Sequence, residues 1–276
     1  MKIVLSNNID PFLVAFLRFF IAVLTTLPFY IASSKKGVKP ERKDVIIISG
    51  IGVVGVAFFS LLLSFGLNLT SATSSSILIN SQPIYAALLS AIFLKERFEL
   101  KHLVSIILGT IGIVFVVTRG NFSSMKMGDT YFKGNLMCVA AAFFVSIYYV
   151  VLKRYIQRFG TIVPTFISTI SGTIVLFFAA EVGGSNFSDI TAMGMENWLL
   201  MLFIGVIATG LANIIFNRSL YAIGVIRATG FKFLVPVFGV ILSILFLGEK
   251  ANSWVYLGIV IVLFAIFFCN RGYATQ

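Results

Sequence analysis

The sequence predicts an all-α integral membrane protein built as an inverted repeat, and three observations carry that prediction. Hydrophobic residues make up 59% of the chain and charged residues 11%, with a mean hydropathy of +1.02, far too apolar for a soluble domain. Apolar stretches near the roughly 17–25 residues that span a bilayer occur nine times. The chain also repeats itself at an offset of 153 residues, so that Leu67 to Arg97 lies over Leu220 to Lys250 without a gap.

The expected spans are Phe12–Ile31, Val45–Phe65, Ser74–Leu94, Leu103–Val117, Asn135–Leu152, Ile162–Ala180, Trp198–Phe216, Gly224–Leu247 and Trp254–Phe268. Period-2 alternation is absent, which argues against a lipid-facing β-barrel. The joining loops are short, and Arg119–Tyr131 and Val182–Asn197 are the longest. No cleavable signal peptide is evident, because the first long apolar run is already of spanning length.

The net charge of +11 follows topology and does not point to nucleic acid. With Lys35–Lys43 taken as cytoplasmic, loops on that side carry thirteen of the 21 Lys and Arg, and the opposite loops carry five. Arg18, Arg227 and Lys232 remain in or near the membrane. Positive charge is retained inside, so the expectation is a multi-pass protein of the plasma (inner) membrane with its carboxyl terminus cytoplasmic.

Matched spacing across a duplicated apolar segment means one unit used twice. Pro11 pairs with Pro164, Gly52 with Gly205, Pro83 with Pro236 and Glu96 with Glu249. The halves are expected at residues 1–120 and 132–272. The span Asn135–Leu152 has no mate, so the first half has four helices and the second five. Restoring the missing first helix gives five plus five, and an odd unit inserted twice in succession must invert. A start truncated upstream of Met1 and a natural nine-span variant are both compatible with that count.

The runs Ser81-Gln-Pro-Ile-Tyr-Ala-Ala-Leu-Leu-Ser-Ala-Ile-Phe-Leu-Lys-Glu96 and Leu234-Val-Pro-Val-Phe-Gly-Val-Ile-Leu-Ser-Ile-Leu-Phe-Leu-Gly-Glu249 resemble the twin signatures of EamA-type carriers of the drug/metabolite transporter superfamily. Ile223 to Ala228, and Pro11 followed by Leu17-Arg-Phe19, are similar to that family too. The resemblance implies ten helices in two inverted halves around a central cavity reached alternately from each side. The family's first helix, which helps line that cavity, is the one missing here.

Candidate pathway residues follow from what hydrocarbon tolerates. Pro83 and Pro236 interrupt two helices at matching places, which in carriers points to the substrate site; a plain packing kink is the alternative. Ser75, Ser76, Asn80 and Gln82 sit in an otherwise apolar span, and Asn213 and Asn217 lie four apart on one helical face. A buried amide without a partner is costly, so these groups must line a wet cavity or bond between helices. Tyr148 is a weaker candidate of the same kind, as is Tyr149. Lys232, one turn before Pro236, is the deepest charge, and an ammonium at that depth marks function or a paired charge. The carbonyl that Pro236 leaves unbonded, which is Lys232's own, is one means of keeping it solvated. No Asp or Glu is expected at similar depth, so a small organic substrate carrying an anionic or zwitterionic group is favoured.

Arg18 and Arg227 lie near helix ends and are read as structural charges that snorkel to the interface. Glu96 and Glu249 fall where one span ends and the next begins, and are read as anchors of the following helix start. Ser105 and Gly109 form a small-xxx-small pair suited to a homodimer. Cys138 and Cys269 read as packing residues. With His102 the only histidine, no metal site, cofactor or enzyme active site is indicated. The expected function is a carrier for a small organic metabolite in the lipid bilayer. The alternative is a non-transporting membrane subunit that binds a partner protein or lipid.

Overall fold

The computed structural model describes residues 10–34, 39–121, 129–188, 190, 193–247 and 252–270. Among the described residues every regular element is helical, and nine helices are long and apolar enough to cross a membrane. They are α1 (Pro11–Ser34), α2 (Arg42–Leu69), α3 (Ala72–Ile79 and Gln82–Phe93), α4 (Leu100–Thr118), α5 (Asp129–Phe159), α6 (Ile162–Val182), α7 (Met195–Ile223), α8 (Val225–Leu247 in three pieces) and α9 (Ser253–Asn270). Each expected span is present, and the protein is a multi-pass membrane protein.

Local chemistry starts these helices. Asp10 precedes Pro11 and accepts the Phe12 N–H at 3.0 Å, while proline at the first helical position gives up a donor that would have no partner anyway. Ser71 caps α3 by accepting the Ser74 N–H at 3.0 Å. Reciprocal boxes start α2, between Glu41 and Asp44, and α4, where His102 Nδ1 accepts the Glu99 N–H at 3.0 Å. These bonds satisfy donors that a helix start leaves open.

Two kinds of irregularity recur at the repeat offset. The backbone widens into π-helical turns at Val53–Phe58 and Phe203–Leu211, and adding 153 to 53–58 gives 206–211, inside the second stretch. The helix also breaks just before each paired proline. α3 stops at Ile79 and resumes at Gln82; α8 runs Val225–Gly230, passes through a 3₁₀ turn at Phe231–Phe233 and resumes at Leu234–Leu247. Pro83 and Pro236 therefore lie in the first turn of a new helical segment, where their missing N–H costs nothing.

The packing is reciprocal between halves. A Cβ on Gly52 of α2 would lie 2.5 Å from Ser171 Oγ of α6, and one on Gly205 of α7 would lie 3.2 Å from the Arg18 carbonyl of α1. Gly205 is the repeat mate of Gly52, and Ser171 the mate of Arg18. Each half thus presses its small-residue helix against the other half's proline-led helix. α4 and α9 meet most closely at Gly112 and Gly258, where a Cβ on Gly258 would lie 2.7 Å from the Gly112 carbonyl oxygen. The Ser105–Gly109 face is used inside the chain: both residues are buried, and a Cβ on Gly109 would lie 2.5 Å from the Phe233 ring. Gly109 is thus covered by α8, and the buried pair packs inside the chain.

Polar ends sort onto two faces. On one, Glu96 binds Lys153, and Arg158 Nη1 meets Asp44 Oδ1 at 3.0 Å. On the other, Ser185 donates to Asp10, Thr70 donates to Asn135 Oδ1 at 2.6 Å, and Asn252 donates to the Arg119 carbonyl at 2.6 Å. α5 outruns the expected span at both ends, and past Leu152 its last turns carry Lys153, Arg154 and Arg158, each held by a partner on the Glu96 face.

Candidate functional site

A cavity of about 520 Å³ opens among α1, α2, α5, α7 and α8. Its wall includes Gly55 and Val56 from the first π stretch, Ala208 from the second, and Phe231 and Lys232 from the 3₁₀ turn. Irregular backbone lines the cavity from both halves, as expected where polar peptide groups at membrane depth face a cavity. Gly55 makes room for a ring. Any Cβ there would collide with the Tyr148 side chain, so glycine lets that ring reach the wall.

Lys232 dominates the chemistry. Its ammonium donates to Tyr149 Oη at 2.8 Å and to Gln82 Oε1 at 3.0 Å. It also lies 4.4 Å from the ring centroids of both Tyr149 and Phe216, within cation–π range. The expected solvation by its own carbonyl is thus replaced by side chains from α3, α5 and α7. Arg18 reaches the same cavity. Its Nε donates to Thr209 Oγ1 at 2.8 Å, and the guanidinium sits 5.2 Å from the Phe19 ring centroid. The interfacial, structural role expected for Arg18 does not describe this position, because hydropathy gives depth but not the direction in which a side chain points. Among the described residues, no Asp or Glu lines the cavity.

The remaining candidates divide. Asn213 and Tyr148 line the wall, and Gln82 stands behind Lys232. Asn217 is buried one layer out, where its Nδ2 donates to Thr165 Oγ1 at 2.9 Å. Ser75, Ser76, Asn80, Pro83 and Pro236 are absent from the wall. Ser75 donates to the Ser71 carbonyl at 2.9 Å, and Asn80 donates to the Ser76 carbonyl at 2.6 Å, closing the end of the first α3 segment. For those groups, local backbone bonding takes the place of cavity lining. Ser60 and Ser64, repeat mates of Asn213 and Asn217, are fully buried on the part of α2 that packs against α5.

Glu96 is an anchor, though of a different helix from the one expected. Glu99 serves the start of α4, whereas Glu96 accepts the Val225 N–H at 3.0 Å and the Ile226 N–H at 3.2 Å, capping α8. Gly224, with φ +85°, brings the chain in so closely that a Cβ would lie 3.2 Å from Glu96 Oε1. Burial alone would raise the Glu96 pKa, but the Lys153 ammonium and the Val225 N–H outweigh it and hold the carboxyl below its ordinary value. Arg227 lies in the first turn of α8, off the cavity wall. Glu249 lies outside the described residues. Among the described residues no cluster of three His, Cys, Asp or Glu could hold a metal.

A model of the EamA-like transporter family matches residues 1–118 and again 132–271. The chain belongs to the EamA-like transporter family. The relatives are named only as transporters. An uncharacterised transporter of Clostridium kluyveri is 26% identical over 94% of this chain and 83% of its own length. An uncharacterised transporter of Bacillus subtilis is 27% identical over 83% and 72%, and one of Archaeoglobus fulgidus is 25% identical over 95% and 88%. A solved crystal structure superposes with a TM-score of 0.79 over 95% of this chain and 89% of its own, at 17% identity, which shows a shared fold. The protein is a membrane transporter, in contact with the bilayer along its apolar helices.

Proposed function

We propose that this transporter moves a small organic metabolite across the plasma membrane by alternating access, with residues 1–120 and 132–272 as the two inverted halves. The observation that carries the reading is the cavity itself, walled by both halves where each departs from regular α-helix. Matched irregular segments leave room for the halves to move against each other around a fixed site. The state described here is read as closed on the Glu96 face. There Tyr148, Tyr149, Leu152, Leu220, Val225 and Ala228 pack into one buried cluster, and the Glu96 bonds tie α3, α5 and α8 together.

Reconstitution into proteoliposomes tests the proposal. Accumulation of radiolabelled metabolites from a panel, saturable and lost when the lipid alone is used, is the expected result. A non-transporting subunit gives no flux under any imposed gradient, and product formation in detergent would point to an enzyme.

A further inference from the structure

We infer that the cavity is a binding site for a monocarboxylate with an apolar body and no ammonium group, with Lys232 and Arg18 as the groups that receive the carboxylate. The inference rests on the transporter reading and specifies its substrate class.

Three observations converge on a carboxylate. The cavity presents two cationic side chains, from α1 and α8, and among the described residues no acidic one. An ammonium has three N–H donors; Lys232 gives two to Tyr149 and Gln82 and keeps one for a ligand. Gln82 is 3% exposed, and its Nε2 has no hydrogen-bond partner among the described residues, although its Oε1 is committed to Lys232. A buried amide donor left open beside a cation is costly unless something accepts from it. Gln82 stands behind Lys232 and off the cavity wall, so a carboxylate oxygen takes that donor by displacing the Lys232–Gln82 bond.

The rest of the wall sets the body of the ligand. Phe19, Val56, Phe59, Val145, Ile215 and Phe216 supply apolar and aromatic surface, which suits a hydrocarbon or ring attached to the acid. Two cations suit one carboxylate, and the other polar groups of the wall, among them Asn213 and Ser219, carry no positive charge to balance a second. A substrate ammonium would enter a low-dielectric site already carrying two like charges, with no anion among the described lining residues to compensate. The site therefore discriminates against amines and zwitterions and selects simple organic acids.

The test uses three probes of one shape: 3-phenylpropionate, L-phenylalanine and 2-phenylethylamine. Their affinities for the purified full chain in detergent are measured calorimetrically at pH 7. The acid is expected to bind tightest and the amine weakest, with a separation of about tenfold or more, the scale of one charged hydrogen bond. Lys232→Met and Arg18→Gln should each weaken 3-phenylpropionate binding by about tenfold, and Lys232→Arg should restore most of it. Equal affinity for acid and amine overturns the inference. So does a Lys232→Met protein that elutes and melts like the wild type and keeps its affinity for the acid. Should Lys232→Met fail to fold, the wild-type charge series still decides. Flux measurements separate this inference from the transporter reading: acid binding without any flux refutes transport and leaves the site, whereas 2-phenylethylamine flux without acid binding refutes the site and leaves transport.

Discussion

Replacing Glu96 should loosen three helices at once, and the structure sets the size of the effect. Its carboxylate holds Lys153 of α5 and the first two N–H groups of α8. The Lys153 and Glu96 side chains are 11% and 16% exposed. That places the pair between a surface ion pair, worth about 0–1 kcal/mol, and a buried one, whose disruption costs about 3–5 kcal/mol. Glu96→Ala removes the pair and the α8 cap, the cap alone being worth roughly 1 kcal/mol, so a loss of about 3 kcal/mol is expected. Glu96→Gln keeps an acceptor but not the charge, and should cost about 2 kcal/mol.

SDS titration followed by circular dichroism at pH 7 measures both variants, and a double-mutant cycle with Lys153→Met isolates the pair. A coupling of about 1–2 kcal/mol is expected; additivity within about 0.5 kcal/mol would refute the argument that Glu96 and Lys153 act as a unit. The pH dependence has a definite sign. A carboxyl held below its ordinary value contributes stability that is fully present above the unfolded value near 4.3 and is lost as pH falls through the lower folded value. Wild type and Glu96→Gln should therefore differ fully at neutral pH and converge in strong acid.

Three shorter predictions follow from packing and topology. Gly258→Ala pushes a methyl against the Gly112 carbonyl and should destabilise by about 1–3 kcal/mol, while Gly239→Ala, with nothing within 4 Å of the new Cβ, should be neutral or stabilising by up to about 1 kcal/mol; thermal melts in detergent compare them. Asn217→Leu should change stability by less than about 1 kcal/mol, because Thr165 keeps its bond to the Thr161 carbonyl at 2.7 Å and the Asn217 Oδ1, which has no partner among the described residues, is removed; a larger loss in the same melts would refute that reasoning. In a background lacking Cys138 and Cys269, Asn186→Cys should react with an impermeant thiol reagent on intact cells and Arg42→Cys only after permeabilisation, and the opposite pattern would invert the proposed orientation.

Much of the fold was legible because hydrocarbon thickness and proline chemistry leave few options. Apolar length located all nine spans, and the paired prolines marked where α3 and α8 break. The π turns at Val53–Phe58 and Phe203–Leu211 were not legible: widening one or two turns leaves no periodicity to detect in so short a stretch. Within the candidate site, Lys232, Asn213 and Tyr148 were found from polarity at depth. Arg18 was placed at the interface, since sequence position gives its height in the membrane and nothing about its azimuth. The Glu96 contact with Val225 spans 129 residues of chain; the sequence neighbour α4 was the natural partner to expect, and only tertiary packing reveals the other.

What duplication preserves and what it relaxes suggests how the cavity acquired one chemical pole. Backbone features keep their register: the π turns, the breaks before proline and the glycine-to-helix contacts occur in both halves. Side chains at the site do not. Lys232 corresponds to Ile79, Asn213 and Asn217 correspond to Ser60 and Ser64, and Arg18 corresponds to Ser171, which donates to the Ser49 carbonyl at 3.2 Å. A lysine at Ile79 as well would add a further ammonium to an interior that already holds Lys232 and Arg18 and, among the described residues, has no acid lining the cavity to balance them. Keeping Ile79 apolar avoids that cost while retaining the hinge-like break that the pair shares. Gln82 shows the division within a single contact: it begins the resumed segment of α3 and holds Lys232 of α8. A movement between the halves that displaces α3 from α8 must break that bond, so the cation that would receive a carboxylate is held by the same contact that such a movement would alter.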